Sequence, residues 1–224
     1  MIRKWIGLFF LDQLLTVIAL SASRGRGGIS ALLIGTLLGK CVCLAVALYA
    51  YRREVQVELW FRPVPIPQAL VSVIAVILIG ISSLLANRFL ADYLLSPSGG
   101  LHHMVDVLVN VWSKLTLSES INFLRAVVLM TNLLLVPMYE EFMFRSVLHA
   151  IFRKWFGERT AILFVAIVFS LFHLDIPSPI PVPAFIISIA LSMLALRTRS
   201  LIPGCIAHGV INYAALIFSA GQRA

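Results

Sequence analysis

Long apolar runs broken by short polar punctuation set the plan of this chain. Runs near 5–22, 29–51, 67–91, 125–156, 160–176, 182–197 and 201–219 come close to the roughly 20 residues a helix needs to cross a hydrocarbon core. The connectors are short and carry Gly, Pro or Arg: RGRGG after the first run, RREVQVELWFRPVPIP after the second, and the Pro-rich SPIPVP after the fifth. Region 101–120, LHHMVDVLVNVWSKLTLSES, has a different rhythm. Leu101, Met104, Val105, Leu108, Trp112 and Leu115 recur at helical spacing, with His102, Asp106, Asn110 and Lys114 off that stripe. This predicts an amphipathic helix lying on a membrane surface. The expected fold is therefore all-α: a polytopic transmembrane bundle of about seven spans with one interfacial helix. Residues 1–120 would supply N-terminal spans and the surface helix, and residues 121–224 a transmembrane core in which the unusual polar residues are concentrated.

Composition supports lipid as the solvent. The 224 residues are 60% hydrophobic and 12% charged, against roughly 25% charged in a soluble domain. The net charge of +8 is spread in ones to threes between apolar runs, which argues against a nucleic-acid partner and suits topology-setting Lys and Arg. With seven spans, Arg3, Lys4, Arg52, Arg53, Arg62, Arg153, Lys154, Arg159, Arg197 and Arg199 fall on one side. Arg24, Arg26, Arg88, Lys114 and Arg223 fall on the other. The richer side is expected to be cytoplasmic, with the N-terminus inside. The N-terminus has a signal-peptide-like start, but Asp12-Gln13 interrupts its apolar core, so a retained first span is expected. Cys41, Cys43 and Cys205 form no disulfide or CxxC framework.

Ionisable groups at membrane depth suggest function, and three runs carry them. In the fourth, Glu141, Arg145 and His149 stand at i, i+4, i+8, so Glu141 can pair with Arg145. Glu140 points about 100° away and has no sequence-local cation, which suits a group that takes a proton from water and returns it. A structural Glu–Arg bridge would explain Glu141 and Arg145 but not Glu140. In the fifth run, Phe169 and His173 are one turn apart; in the seventh, His208 and Asn212 are. Singly, each histidine suits a hydrogen-bonded structural group, and His–Asn suits either helix–helix contact or donation to an oxyanion. At about 1.5 Å rise per residue, Glu140, His173 and His208 all reach the bilayer interior at compatible depths. Asp12 and Lys40, in the first two runs, are expected to pair structurally.

Taken in order, Glu140-Glu141-x-x-x-Arg145, Phe169-x-x-x-His173 and His208-x-x-x-Asn212, with Pro137, Phe144 and SLIPGCIAH around them, resemble the CPBP (CAAX protease and bacteriocin-processing, or Abi) family of intramembrane proteases over residues 129–219. The resemblance implies a glutamic-type peptidase with no cofactor and no metal. Glu140 would activate water, His173 would hold it, and His208 and Asn212 would stabilise the oxyanion. Glu141 and Arg145 would orient the site, and Phe169 would pack beneath His173. It also implies a hydrophobic or lipid-anchored peptide or protein substrate, membrane lipid as surroundings, and residence in a prokaryotic inner (plasma) membrane. The chain departs from the family in having Ser146 where glycine often follows the arginine, and about seven spans where the prenyl-protein proteases have eight. A metal-dependent membrane peptidase and a non-catalytic binding or immunity scaffold are the competing readings; an ion-coupled transporter would usually show repeats, and none is visible.

Overall fold

The computed structural model describes residues 2–23, 28–51, 61–95, 129–173 and 181–220. Seven helices account for nearly all of them: α1 (Ile2–Ser23), α2 (Gly28–Tyr51), α3 (Ile66–Leu95), α4, α5 (Glu158–Leu171), α6 (Val182–Thr198) and α7 (Ile202–Ala220). Helix α4 is composite, its pieces Thr131–Leu135, Val136–Glu140, Glu141–Leu148 and His149–Phe156 running end to end. No strand occurs among the described residues, so the chain is all-α. The amphipathic helix expected over 101–120 lies outside the described residues.

Each apolar run corresponds to a helix, with two differences of physical interest. The fifth run was expected to continue to 176, but α5 stops at Leu171. Phe172 adopts φ −75°, ψ −7°, and the His173 N–H reaches back to Ser170 O at 3.1 Å. The His173 ring then satisfies the Phe169 carbonyl from Nδ1 at 2.8 Å, so one residue supplies both backbone and side-chain donors to the orphan carbonyls of the helix end. The second difference lies in α4, where Thr131–Leu135 and Glu141–Leu148 are wound as wider π turns. Pro137, between them, has no N–H to offer the Leu133 carbonyl four residues back. Against that carbonyl packs Gly209 of α7, whose added Cβ would overlap it and lie 3.2 Å from the Leu133 carbonyl carbon. In the second π segment, the Trp5 indole N–H donates to Met143 O at 3.2 Å.

Packing forms two apolar clusters. One joins α1, α2, α4 and α5 through Trp5, Leu44, Tyr51, Phe142, Phe144 and Phe169. The other joins α3, α6 and α7 through Val73, Val76, Ile187, Leu191, Ala207 and Ile211. Within the first, Lys40 pairs with Asp12 at 2.7 Å, as their positions suggested, and its ammonium lies 5.1 Å from the centre of the Tyr139 ring. All eight residues from Glu141 to Leu148 are buried, and this segment occupies the seam where the clusters meet.

The outer faces are apolar. Leu70, Val71, Ile74 and Leu78 of α3, Phe10 and Leu14 of α1, and Leu163 and Leu171 of α5 are exposed. Among the described residues one stretch, the 19 residues Ala69–Asn87, is by itself long and apolar enough to cross a membrane, with an 18-residue window of mean hydropathy 2.7, only 17% of it buried inside the protein. Leu37–Tyr51 and Val182–Thr198 are apolar but shorter.

The seam between α4 and α7 gives a test. Gly209→Ala drives a methyl into backbone that cannot yield, and is expected to lower stability by about 1–3 kcal/mol in thermal unfolding of the detergent-solubilised chain. Gly80→Ala meets only the flexible Ile211 side chain, with Cγ1 at 2.7 Å, and should cost less. Equal melting temperatures for Gly209→Ala and wild type would show that the helices do not approach this closely.

Candidate active site

Helix α4 presents Glu141 and Arg145 into the seam. Glu141 is fully buried, and its Oε2 lies 3.4 Å from Arg145 Nε. Charges taken out of water need partners in good geometry to be tolerated, and each has more than one. Arg145 Nη2 donates to Ser188 Oγ on α6 at 3.3 Å, and its guanidinium lies 4.5 Å from the Phe169 ring centre, within cation–π range. Glu141 Oε1 accepts from His208 Nδ1 on α7 at 2.9 Å. The carboxylate fits there because residue 204 has no side chain: a Cβ on Gly204 would sit 2.8 Å from Glu141 Oε2. One carboxylate thus ties α4 to the first turns of α7, and its cation ties α4 to α6.

Glu140 turns away from this pair, with its side chain 16% exposed where that of Glu141 is 0%. Its Oε2 lies 3.6 Å from His208 Nε2 and 4.0 Å from His173 Nε2. The tautomers follow from the other ring nitrogens. Backbone carbonyl and carboxylate oxygens only accept, so His173 Nδ1–H donates to Phe169 O and His208 Nδ1–H donates to Glu141. Both rings are thereby held with Nε2 aimed at the same Glu140 oxygen. Phe169 fixes their planes. It lies 4.2 Å from His173 at a 30° tilt and meets His208 edge-on at 5.8 Å. Separations of 3.6–4.0 Å exceed a hydrogen bond and are of the kind a bridging water spans.

Beside this triad opens a cavity of about 120 Å³, lined by Phe169, His173, His208 and Asn212 among apolar walls from α3, α6 and α7 that include Leu84, Ile187 and Ile211. Asn212 lines it one turn from His208 and donates one amide hydrogen to the Asn132 carbonyl at 3.3 Å. Glu140, Glu141, Arg145, Phe169, His173 and His208 therefore form one connected cluster, with Asn212 at its edge. Sequence reading did not single out Ser188, Gly204, Trp5 or the α3 wall. The pair Ser188 and Ser192, one turn apart in an otherwise apolar helix, was a readable signal; Trp5 carried none. Among the described residues no three His, Cys, Asp or Glu side chains are placed to hold one metal ion.

Residues 122–214 match the family described as type II CAAX prenyl endopeptidase Rce1-like. Over that stretch the chain is similar to that family. The match takes in every residue of the cluster and covers less than half of the 224 residues. It agrees with the CAAX-protease-like resemblance read from the three motifs, and the Rce1-like description is one of endopeptidases, that is, of peptide hydrolases. No curated protein and no solved structure matches the chain.

The cluster separates a buried ion pair from a carboxylate with no direct hydrogen bond to either histidine, and stability measurements distinguish them. Arg145→Leu leaves Glu141 buried without its cation and is expected to cost about 3–5 kcal/mol. Glu140→Gln removes no direct hydrogen bond and is expected to shift stability by no more than about 0.5 kcal/mol. A Glu140→Gln protein as unstable as Arg145→Leu would mark Glu140 as a structural carboxylate.

Proposed function

We propose that this protein is an intramembrane endopeptidase of the glutamic type, hydrolysing a peptide bond in a membrane-associated or lipid-anchored substrate. The observation that carries the reading is the convergence of His173 Nε2 and His208 Nε2 on one oxygen of the unpaired Glu140, at the edge of an apolar cavity. The Rce1-like match over 122–214 supports it independently.

In this mechanism Glu140 takes a proton from a water held at His173 Nε2, and the hydroxide oxygen adds to the scissile carbonyl carbon. The carbonyl π pair moves to oxygen. His208, held at Nδ1 by Glu141, in its protonated form donates Nε2–H to that oxyanion, and Asn212 has a second amide hydrogen to offer beside the one bound to Asn132. Collapse of the intermediate breaks the C–N bond, and Glu140 returns its proton to the leaving amine. One water is consumed and Glu140 ends ionised. Glu141 and Arg145 act by fixing His208 and Phe169 rather than by touching substrate.

The setting belongs to the same proposal. The apolar outer faces fit a polytopic bundle of about seven spans in an inner (plasma) membrane, N-terminus cytoplasmic by the Lys and Arg bias. Residues 121–224 carry the catalytic core and 1–120 the supporting spans.

The test compares new protein termini in membranes of cells carrying wild type and Glu140→Gln, with a chelator-treated wild-type sample alongside. Loss of general-base catalysis should lower turnover by about 10²–10⁴-fold, so termini present in wild type should vanish in the variant and survive the chelator. Termini lost with the chelator would move the site to the metal peptidases. Termini that persist in a folded Glu140→Gln protein would exclude Glu140 as the base.

A further inference from the structure

Six buried side-chain atoms among the described residues have no hydrogen-bond partner: Glu140 Oε2, Glu141 Oε2, Arg145 Nε, Arg145 Nη1, His149 Nε2 and Ser192 Oγ. They are not scattered, and two of them, Glu141 Oε2 and Arg145 Nε, face each other at 3.4 Å as an ion pair without a hydrogen bond. Glu140, Glu141, Arg145 and His149 follow one another down α4, and Ser192 lies one turn beyond Ser188, the residue that accepts from Arg145. Helices α4 and α5 form a hairpin about Gly157, closed by Phe152 and Phe156 against Phe164 at 5.4 and 4.9 Å. The cavity beside Glu140 brings His173, just past the end of α5, next to Pro181, Pro183 and Ala184 at the start of α6. So α6 runs antiparallel to α5 and parallel to α4. The steps from Arg145 to His149 and from Ser188 to Ser192 then both lead about 6 Å toward the α4–α5 turn. One turn further on α4 stands the half-buried Arg153, and the exposed Glu158 begins α5.

A buried donor or acceptor left unpaired loses its hydration with nothing in return, and folds meet this with ordered water where the site is polar. The character of the six atoms selects the ligand. Two are guanidinium donors, two are carboxylate acceptors, and the hydroxyl and the imidazole nitrogen act either way. An ion of either sign would meet its like charge along this row; water, both donor and acceptor, suits every member.

We infer that a file of internal waters occupies this seam, running from the α4–α5 turn past His149, Ser192 and Arg145 to Glu140, and that it delivers the water consumed there. The delivery role rests on the hydrolytic reading above; the file itself does not. Delivery from this side resolves a conflict in the site. An apolar substrate segment filling the cavity walled by Leu84, Pro183, Ile187 and Ile211 shuts out water from the His173 and His208 side of the cluster, while each turnover needs one new water. A separate polar route along α4 lets water arrive at Glu140 by a path the substrate does not occupy.

X-ray radiolysis in H₂¹⁸O of the full chain in lipid nanodiscs tests the file, because hydroxyl radicals born from internal waters label the side chains that touch them. His149 is 3% exposed and should nevertheless take up ¹⁸O in the folded wild type. Ser192→Val, which fills the row, should cut that label several-fold and lower kcat about tenfold with KM unchanged. Ser192→Thr, which keeps the hydroxyl, should preserve both. No label at His149 in the wild type overturns the file, and this arm needs no variant to fold. Lost label with kcat unchanged in Ser192→Val overturns delivery. Labelling does not depend on catalysis, so a Glu140→Gln protein that still cleaves would exclude Glu140 as the base and leave the His149 label unchanged.

Discussion

The polar cluster of this molecule hangs on the carboxylate of Glu141. A fully buried charge is tolerated only when its surroundings are built for it, and here the surroundings are three helices: α4 supplies Arg145, α7 supplies His208 and the gap at Gly204, and α6 supplies Ser188 to the arginine. The same bonds that make the burial tolerable fix the His208 tautomer and point Nε2 at Glu140. Tolerating one charge and orienting His208 are a single event. Two adjacent glutamates thereby differ, one buried in an ion pair and a histidine hydrogen bond and the other held near two ring nitrogens without a direct bond to either.

The backbone prepares this arrangement. Pro137 withholds an N–H from Leu133, α4 widens on both sides of the proline, and Gly209 lets α7 pack against the Leu133 carbonyl. The second π segment turns a whole run, Glu141–Leu148, into buried surface, which a regular helix at the edge of a bundle would expose on one face. Departures from regular helical winding are common where function is concentrated, and here one precedes the acidic pair and the other begins at its second member, Glu141.

Much of this was legible in the sequence because the signals were local or periodic. Apolar run lengths located the seven helices, i, i+4 spacing located the Glu141–Arg145, Phe169–His173 and His208–Asn212 faces, and the opposed Asp12 and Lys40 foretold their ion pair. What stayed hidden depended on close approach in three dimensions. Nothing in IPGCIAH says which carboxylate Gly204 accommodates. Nothing in an apolar stripe says that α5 ends at Leu171, because that end is made by the His173 ring bonding backwards rather than by a helix-breaking residue. The π turns escaped for the same reason: a proline announces a disturbance, but the way the freed carbonyl is accommodated is decided by the neighbouring helix.

The bond from Trp5 to the Met143 carbonyl spans 138 residues of chain. It joins the first helix to the winding of the segment that carries Glu141 and Arg145, and Trp5 also packs against Phe144 and Phe172, which touch each other. The stretch that resembles known endopeptidases begins at residue 122, yet a donor and an aromatic wall of its active region come from the opposite end of the polypeptide. The unit that similarity delimits and the unit that physics holds together are therefore different objects here. The cluster therefore takes its final shape only when the N-terminal helix has packed against α4.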